Sequence, residues 1–417
     1  MFFVEEVTAM SLSGWKTEGQ KYRRIISDFS YNIIAMMIVT IILQIVVYPF
    51  LAGNFSAEEY GQLLTIMGIA NIFVVSLGGG LNNVRLIRQN MYEEQNVTGD
   101  FNLLLFIFSC IGTIIFAVIV MFQFQVTGIA FALLLLYVFL GIVINYWSVA
   151  YRIVINYKAN LIYNLFLGVG YLLGIFLAKK TGNWVLAFAI GEVLGLLYLL
   201  KSIALHKERI KLTLLFSKTL KAYLVLIGTN FVANVVTYLD RIFLYPIIGG
   251  EQVTIYTVSS FIGKSIGLVI TPVAGVLLSY YSQKSFTMTV KKYWKINGIT
   301  FLAGGIIGGV AILVAPFITG ILYPTVIEAA RPYLIIANVA SLVGALTNIL
   351  APSVLKFSNI LWQIVLQLVY AVVYIGAGYI LMQSMGLMGF CIATLLVNLI
   401  RMMILMAVGH FSIWRNL

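Results

Sequence analysis

Charge is scarce in this sequence. Asp, Glu, Lys and Arg make up 10% of its 417 residues, against about 25% in soluble domains, which excludes a water-covered globular protein. Cysteine is almost absent. Cys110 and Cys391 both lie in apolar runs, so neither a disulfide framework nor a zinc site can be built from them. There are two histidines, His206 in a basic segment and His410 near the C-terminal end of the last apolar run, and neither is placed for catalysis. Walker, Gly-x-Ser-x-Gly and HExxH sequences are missing, which leaves no hydrolytic or ATP-driven machinery in view. An apolar run of signal-peptide length is also lacking near Glu5, Glu6 and Glu18, so no cleaved signal is expected and the first span should direct targeting.

What is abundant is apolar length. Hydrophobic residues account for 61% of the chain and the mean hydropathy is +1.02. A helix needs about 20 apolar residues to cross a bilayer, and runs of that length fall near 30–52, 60–80, 101–123, 128–149, 159–178 and 184–204. The second half adds runs near 221–245, 254–281, 297–319, 332–353, 359–383 and 387–409. The reading is an all-α polytopic membrane protein of about 12 transmembrane helices. Loops between the runs are too short for an extramembrane catalytic domain.

An even number of spans puts both termini on one side, and the loops divide sharply by Lys and Arg content. One set holds Lys16, Lys21, Arg23 and Arg24, then Arg85 and Arg88, then Arg152 and Lys158, the cations from Lys201 to Lys221, Lys284, the group Lys291, Lys292 and Lys295, then Lys356, Arg401 and Arg415. The opposite set has Lys179, Lys180, Arg241 and Arg331. Positive loops face the cytoplasm, so a multi-pass protein with both termini cytoplasmic is expected. Topology and anionic lipid heads then account for the net charge of +12, and no nucleic-acid partner is needed.

The basic segment 205–220 sits at the midpoint and reads as a cytoplasmic connector between an N-terminal six-helix bundle (1–204) and a C-terminal one (221–417). Tyr48-Pro49 followed by Leu-Ala-Gly and Tyr60 is echoed by Tyr245-Pro246, Ile-Ile-Gly and Tyr256. Parallel repeats of this kind imply two bundles related by an axis along the membrane normal, with a substrate path near the midplane.

Ionisable groups at membrane depth are costly and therefore candidates for function. Lys264, about 15 Å along its span from the outer end, either faces a cavity or pairs with a carboxylate or an interface; small neighbours from Ser259 to Gly267 would allow close approach. Asp240 and Arg241 end the seventh span near its outer interface, as an ion pair or a ligand contact. Glu192 is the carboxylate well inside a span of the first half, either binding a coupling proton or pairing with a cation. Asn230 and Asn234 share a helix face and either line a polar path or bind a neighbouring helix. Arg85 and Arg88 follow Gly78-Gly79-Gly80 and either receive an anionic head group or obey the loop-charge rule. Arg401 has the length to snorkel to the inner interface. Pro272 and Pro352 are candidate kinks. The tyrosines and phenylalanines read as packing or interfacial belts.

On Glu59-Tyr60-Gly61, Gly80 with Arg85, Asp240-Arg241, Glu251, Tyr256 and Gly386-Leu-Met-Gly389, the chain resembles the Wzx-type polysaccharide (O-antigen) flippases of the MOP exporter superfamily. Thr254 stands where that family often has Gly. The resemblance implies a V of two six-helix bundles around a cationic cavity, in a bacterial cytoplasmic (inner) membrane. It further implies transfer of polyprenyl-pyrophosphate-linked oligosaccharide to the outer leaflet for O-antigen, capsule or exopolysaccharide production. Lys264 and Arg241 would contact pyrophosphate or acidic sugars. Membrane lipids and a polysaccharide polymerase machinery are the partners it suggests. No cofactor or metal is expected, and a proton or sodium gradient is the candidate for coupling. The alternatives are a MATE-like ion-coupled exporter, for which the carboxylate-free first span (30–52) offers no acidic site and Glu192 only a partial substitute, and a membrane glycosyltransferase or polymerase. The peptidoglycan-precursor branch carries additional helices for which the chain has no room.

Overall fold

A computed structural model describes residues 31, 34–35, 37–281, 287–358 and 361–415. The cations Lys16, Lys21, Arg23, Arg24 and Lys284, and the side chain of the candidate kink Pro272, lie outside the described residues.

Long apolar runs become helices because lipid offers no partner for a backbone N–H or C=O. In chain order they are α1 (Met37–Asn54), α2 (Ala57–Glu94), α3 (Asp100–Phe124), α4 (Gly128–Ile153), α5 (Tyr157–Thr181) and α6 (Leu186–Ser202). There follow α7 (Phe216–Thr237), α8 (Leu239–Ser259), α9 (Phe261–Tyr281), α10 (Val290–Leu322), α11 (Ile327–Phe357) and α12 (Leu361–Arg415). Among the described residues there is no strand, and nine helical stretches are long and apolar enough to cross a membrane. This is an all-helical, multi-pass membrane protein. Its outward faces are apolar, as at Phe122 on α3 and Leu313 on α10.

Two helices carry internal breaks that set the number of crossings. The apolar stretch of α12, Val365–Trp414, has 50 residues and would run about 75 Å unbroken, against about 30 Å of hydrocarbon. Gly386, at φ 58 and ψ −140, divides it into the two expected spans. In α8, Gly249 at φ 84 and ψ 173 does the same, in a region of backbone space that only glycine enters cheaply. α7 and the first part of α8 cover the expected seventh apolar run, and the rest of α8 with α9 covers the expected eighth.

The chain forms two compact units. One takes in the described residues up to Phe50 together with Ile69–Val235; the other takes in Leu51–Gly68 and the described residues from Val236 onward. In the first unit, α5 and α6 meet through glycines: a Cβ on Gly170 would lie 2.6 Å from the Gly191 Cα. Tyr223 of α7 is fully buried and its hydroxyl donates to the Leu77 carbonyl at 2.9 Å, inside a π-helical turn of α2, Val74–Gly79. The 205–220 segment is fastened to this unit. Asn102 Nδ2 donates to the carbonyls of Leu205 and Glu208 at 2.9 and 3.0 Å, and Asp100 accepts the Thr213 N–H at 2.8 Å.

In the second unit, the helix starts at α2 and at Gly250 hold each other. Ser56 and Glu59 form a reciprocal cap, with Ser56 N–H donating to Glu59 Oε2 at 2.9 Å and Glu59 N–H donating to Ser56 Oγ at 3.3 Å. The Glu58 carboxylate accepts the Gly250 and Glu251 N–H groups at 3.0 and 2.8 Å, satisfying donors that the Gly249 break leaves without helical acceptors.

Candidate functional site

The cluster of ionisable groups in the second unit is built at two helix breaks. At Tyr238 the backbone leaves helical geometry (φ −104, ψ 10), and its ring packs where a Cβ on Gly68 would lie 3.3 Å from Cδ1. The chain resumes as α8, so Asp240 and Arg241 lie in its first turn. Gly249 is nine positions beyond Asp240, or about 14 Å at the helical rise. The apolar pattern runs on through Pro246, so a linear reading does not reveal the break.

Here α8 meets α9. Lys264 Nζ donates to Asp240 Oδ2 in an ion pair, and Asp240 Oδ1 accepts the Arg241 N–H at 2.8 Å. Arg241 Nη1 donates to the Leu64 carbonyl at 3.5 Å, and its guanidinium lies 5.9 Å from the Tyr238 ring centre. Two cations beside one carboxylate leave the group with a net charge of about +1. The Lys264 side chain is 35% exposed, against 9% for Asp240, so the carboxylate is sealed while part of the lysine remains accessible.

Aromatic rings extend the cluster. Lys264 Nζ sits 4.7 Å over the Tyr256 ring, within cation–π range. Tyr256 meets Phe390 edge-on at 5.0 Å, Phe390 meets Tyr374 at 5.6 Å, and Tyr374 meets Tyr370 at 5.7 Å. Arg401 closes the row with its guanidinium 4.7 Å over Tyr370, stacked on a ring as well as long enough to snorkel. From the sequence these tyrosines read as packing or interfacial belts, apart from Tyr256, which enters through the family resemblance. Tyr256, eight residues before Lys264 on the far side of the Ser259–Ser260 junction, gave no periodic signal linking the two.

The remaining candidates belong to the first unit. Asn234 Nδ2 donates to the Asn230 carbonyl at 2.8 Å and to Ser76 Oγ of α2 at 3.4 Å, which is the helix-to-helix arrangement. A Cβ on Gly80 would lie 3.7 Å from Asn230 Nδ2, so both asparagines face α2. Arg85 is 4% exposed and forks onto Glu208, Nη2 to Oε1 at 2.7 Å and Nη1 to Oε2 at 3.0 Å. Its Nε donates to Gln89 at 2.8 Å, and its plane covers the Phe101 ring at 4.6 Å. Arg88, one turn on, borders an open groove. Glu192 is buried and accepts the Tyr171 hydroxyl at 3.3 Å. Its Oε2 has no hydrogen-bond partner, and no ion pair includes it, among the described residues. Glu208 and Asp100, which organise the basic segment, were missed because a carboxylate among loop cations carries no spacing signal.

No family model matches this chain, and no curated protein matches it in sequence. Solved structures do. A lipid II flippase, MurJ, in an inward closed conformation is 17% identical with a TM-score of 0.68, over 90% of this chain and 86% of that one. An inward-facing multidrug resistance MATE family transporter of the MOP superfamily is 15% identical with a TM-score of 0.60, over 92% of this chain and 98% of that one. A MATE structure in complex with MaD3S gives 0.61 at 15% identity, over 92% and 94%. The fold is that of MurJ and the MATE transporters. At these identities the likeness establishes architecture, and the chemistry must come from the residues.

Proposed function

We propose that this protein is a flippase that carries a polyprenyl-pyrophosphate-linked oligosaccharide from the cytoplasmic to the outer leaflet, for assembly of a surface polysaccharide. The observation that carries the reading is the Asp240–Lys264 ion pair beside Arg241, a net cationic group whose carboxylate is sealed and whose lysine is partly accessible. A sugar–pyrophosphate head is anionic and polar, and each unsatisfied polar group taken into hydrocarbon costs several kcal/mol. A partly accessible lysine with an adjacent arginine supplies the opposite charge. Lys264 can exchange Asp240 for a pyrophosphate oxygen with little change in its own pairing, and the displaced carboxylate keeps the Arg241 N–H. The polyprenyl tail stays in the bilayer while the site alternates between leaflets. Fold kinship with a lipid II flippase supports a lipid-linked cargo. Coupling to a proton or sodium gradient and delivery to a polymerase belong to the same proposal.

A second reading, an ion-coupled small-molecule exporter, draws on Glu192: a buried carboxylate with an unpartnered oxygen among the described residues, in a fold shared with multidrug MATE transporters. One experiment separates them. The leaflet distribution of polyprenyl-linked saccharides is measured after depletion and after complementation with wild type, Lys264→Ala or Glu192→Gln. Build-up on the cytoplasmic face that wild type reverses and Lys264→Ala does not supports the flippase. Normal sidedness, with drug efflux lost in Glu192→Gln, establishes the exporter instead.

A further inference from the structure

The first unit contains an open groove of about 480 Å³ between α2 and α7, lined by Val84, Ile87, Arg88, Lys218, Lys221, Ala222, Val225 and Leu226. Its chemistry is divided along its length. Three cations stand together, and no carboxylate lines the groove. The rest is aliphatic: Ile87 and Val225 are strongly exposed, at 71% and 65%, Ala222 and Leu226 are half-buried, and Val84 is buried.

Arg88 gives the independent sign of a missing ligand. Arg85 and Arg88 are three apart on α2, yet Glu208 neutralises only Arg85. The Arg88 Nε–H is buried without a hydrogen-bond partner among the described residues, and Nη1 reaches the thioether of Met91 at 3.4 Å, a weak acceptor. Leaving a charged donor in that condition costs more than a neutral one, and a phosphate oxygen would remove the cost through a charge-assisted bond. Lys218 and Lys221, three apart on α7, share a face and bring two more ammonium groups to the same end.

We propose that this groove binds one anionic phospholipid of the bilayer, its phosphate held by Arg88, Lys218 and Lys221 and an acyl chain laid along Ile87, Val225 and Leu226. The aliphatic floor decides between sources of the phosphate. A free anion gains nothing from it, whereas an acyl chain packs against these side chains by van der Waals contact. Basic pockets between membrane helices commonly hold anionic head groups in this way. The lipid would clamp α7 to α2 beside the buried Tyr223–Leu77 bond. The site is independent of the cargo assigned above, which concerns the other unit.

The test is native mass spectrometry of the full chain in neutral detergent, titrated with phosphatidylglycerol, with phosphatidylcholine and with inorganic phosphate as competitor. Wild type should bind phosphatidylglycerol at least tenfold more tightly than phosphatidylcholine. The triple variant Arg88→Gln, Lys218→Gln, Lys221→Gln should lose at least tenfold, while Lys291→Gln, Lys292→Gln, Lys295→Gln, an equal loss of charge elsewhere, should lose less than threefold. Val225→Trp keeps every cation and alters an exposed position, so it folds even if the triple variant does not; by filling the groove it too should lose at least tenfold. Unchanged affinity in Val225→Trp, equal losses in the two triple variants, or displacement of the lipid by an equal concentration of phosphate would each overturn the proposal.

Discussion

Lys264 and Asp240, 24 residues apart in the chain, share an ion pair across the junction of α8 and α9. Their unequal exposure makes the pair one-sided: the carboxylate depends on the lysine more than the lysine depends on it.

That asymmetry predicts different outcomes for the two partners. Lys264→Met strands the sealed Asp240 carboxylate and should destabilise the protein by roughly 3–5 kcal/mol, read as a large drop in melting temperature in detergent, whereas Asp240→Asn leaves a part-exposed ammonium and should cost less. The double variant Asp240→Leu, Lys264→Met should recover most of that stability, because an apolar pair of similar volume is often neutral. It should still lose flipping. A double variant that melts like wild type and also flips normally would show that the pair is structural only.

Arg85 and Glu208 form a fork whose two hydrogen bonds a lysine cannot reproduce. Arg85→Lys should therefore destabilise, and Glu208→Gln should cost roughly 3–5 kcal/mol by stranding a buried guanidinium. The local readout is trypsin cleavage at Lys207, Arg209 and Lys211, which should accelerate in Glu208→Gln as the 205–220 segment loosens. Unchanged cleavage would place the anchoring in Asp100 and Asn102 instead.

How much of this was legible before the structure follows from what a linear pattern can carry. The spans were readable because lipid demands about 20 apolar residues of whatever identity, and α3 to α6 fall close to the expected runs. The break at Tyr238 was not readable, since apolar residues continue on both sides of it. Lys264 stood out as a charge in an apolar run. Its partner did not, because pairing between two helices leaves no period. Glu208 was hidden for the opposite reason, lying among so many loop charges that one more acid said nothing.

The cap at Gly250 supports two further substitutions. Glu58→Gln should cost about 1–3 kcal/mol by replacing a charged acceptor of two N–H groups with a neutral one. Gly249→Ala should cost about 1–3 kcal/mol through backbone strain at φ 84. The two residues act on one turn, so their effects in the double variant should fall short of the sum. Strict additivity in thermal melts would uncouple them.

Glu192 makes a different forecast. Among the described residues its partner is the Tyr171 hydroxyl and no cation, so Glu192→Gln keeps the shape and removes a charge that burial disfavours. Melting temperature should hold or rise, and flipping should stay within twofold of wild type. A collapse of stability would reveal that a cation reaches this carboxylate after all.

The Glu58 cap also sets a schedule for biogenesis. Leu51–Gly68 belongs with chain that begins again at Val236, so a ribosome releases the first part of that unit long before the Gly250 and Glu251 amides exist for Glu58 to receive. During that interval the Ser56–Glu59 cap keeps the start of α2 wound while the Glu58 carboxylate waits in the translocon or the lipid interface without its later partners. Neither unit is a continuous stretch of polypeptide. Severing the gene within 205–220 would strand α7 on the wrong fragment, and co-expressed halves would have to exchange helices before either could finish folding.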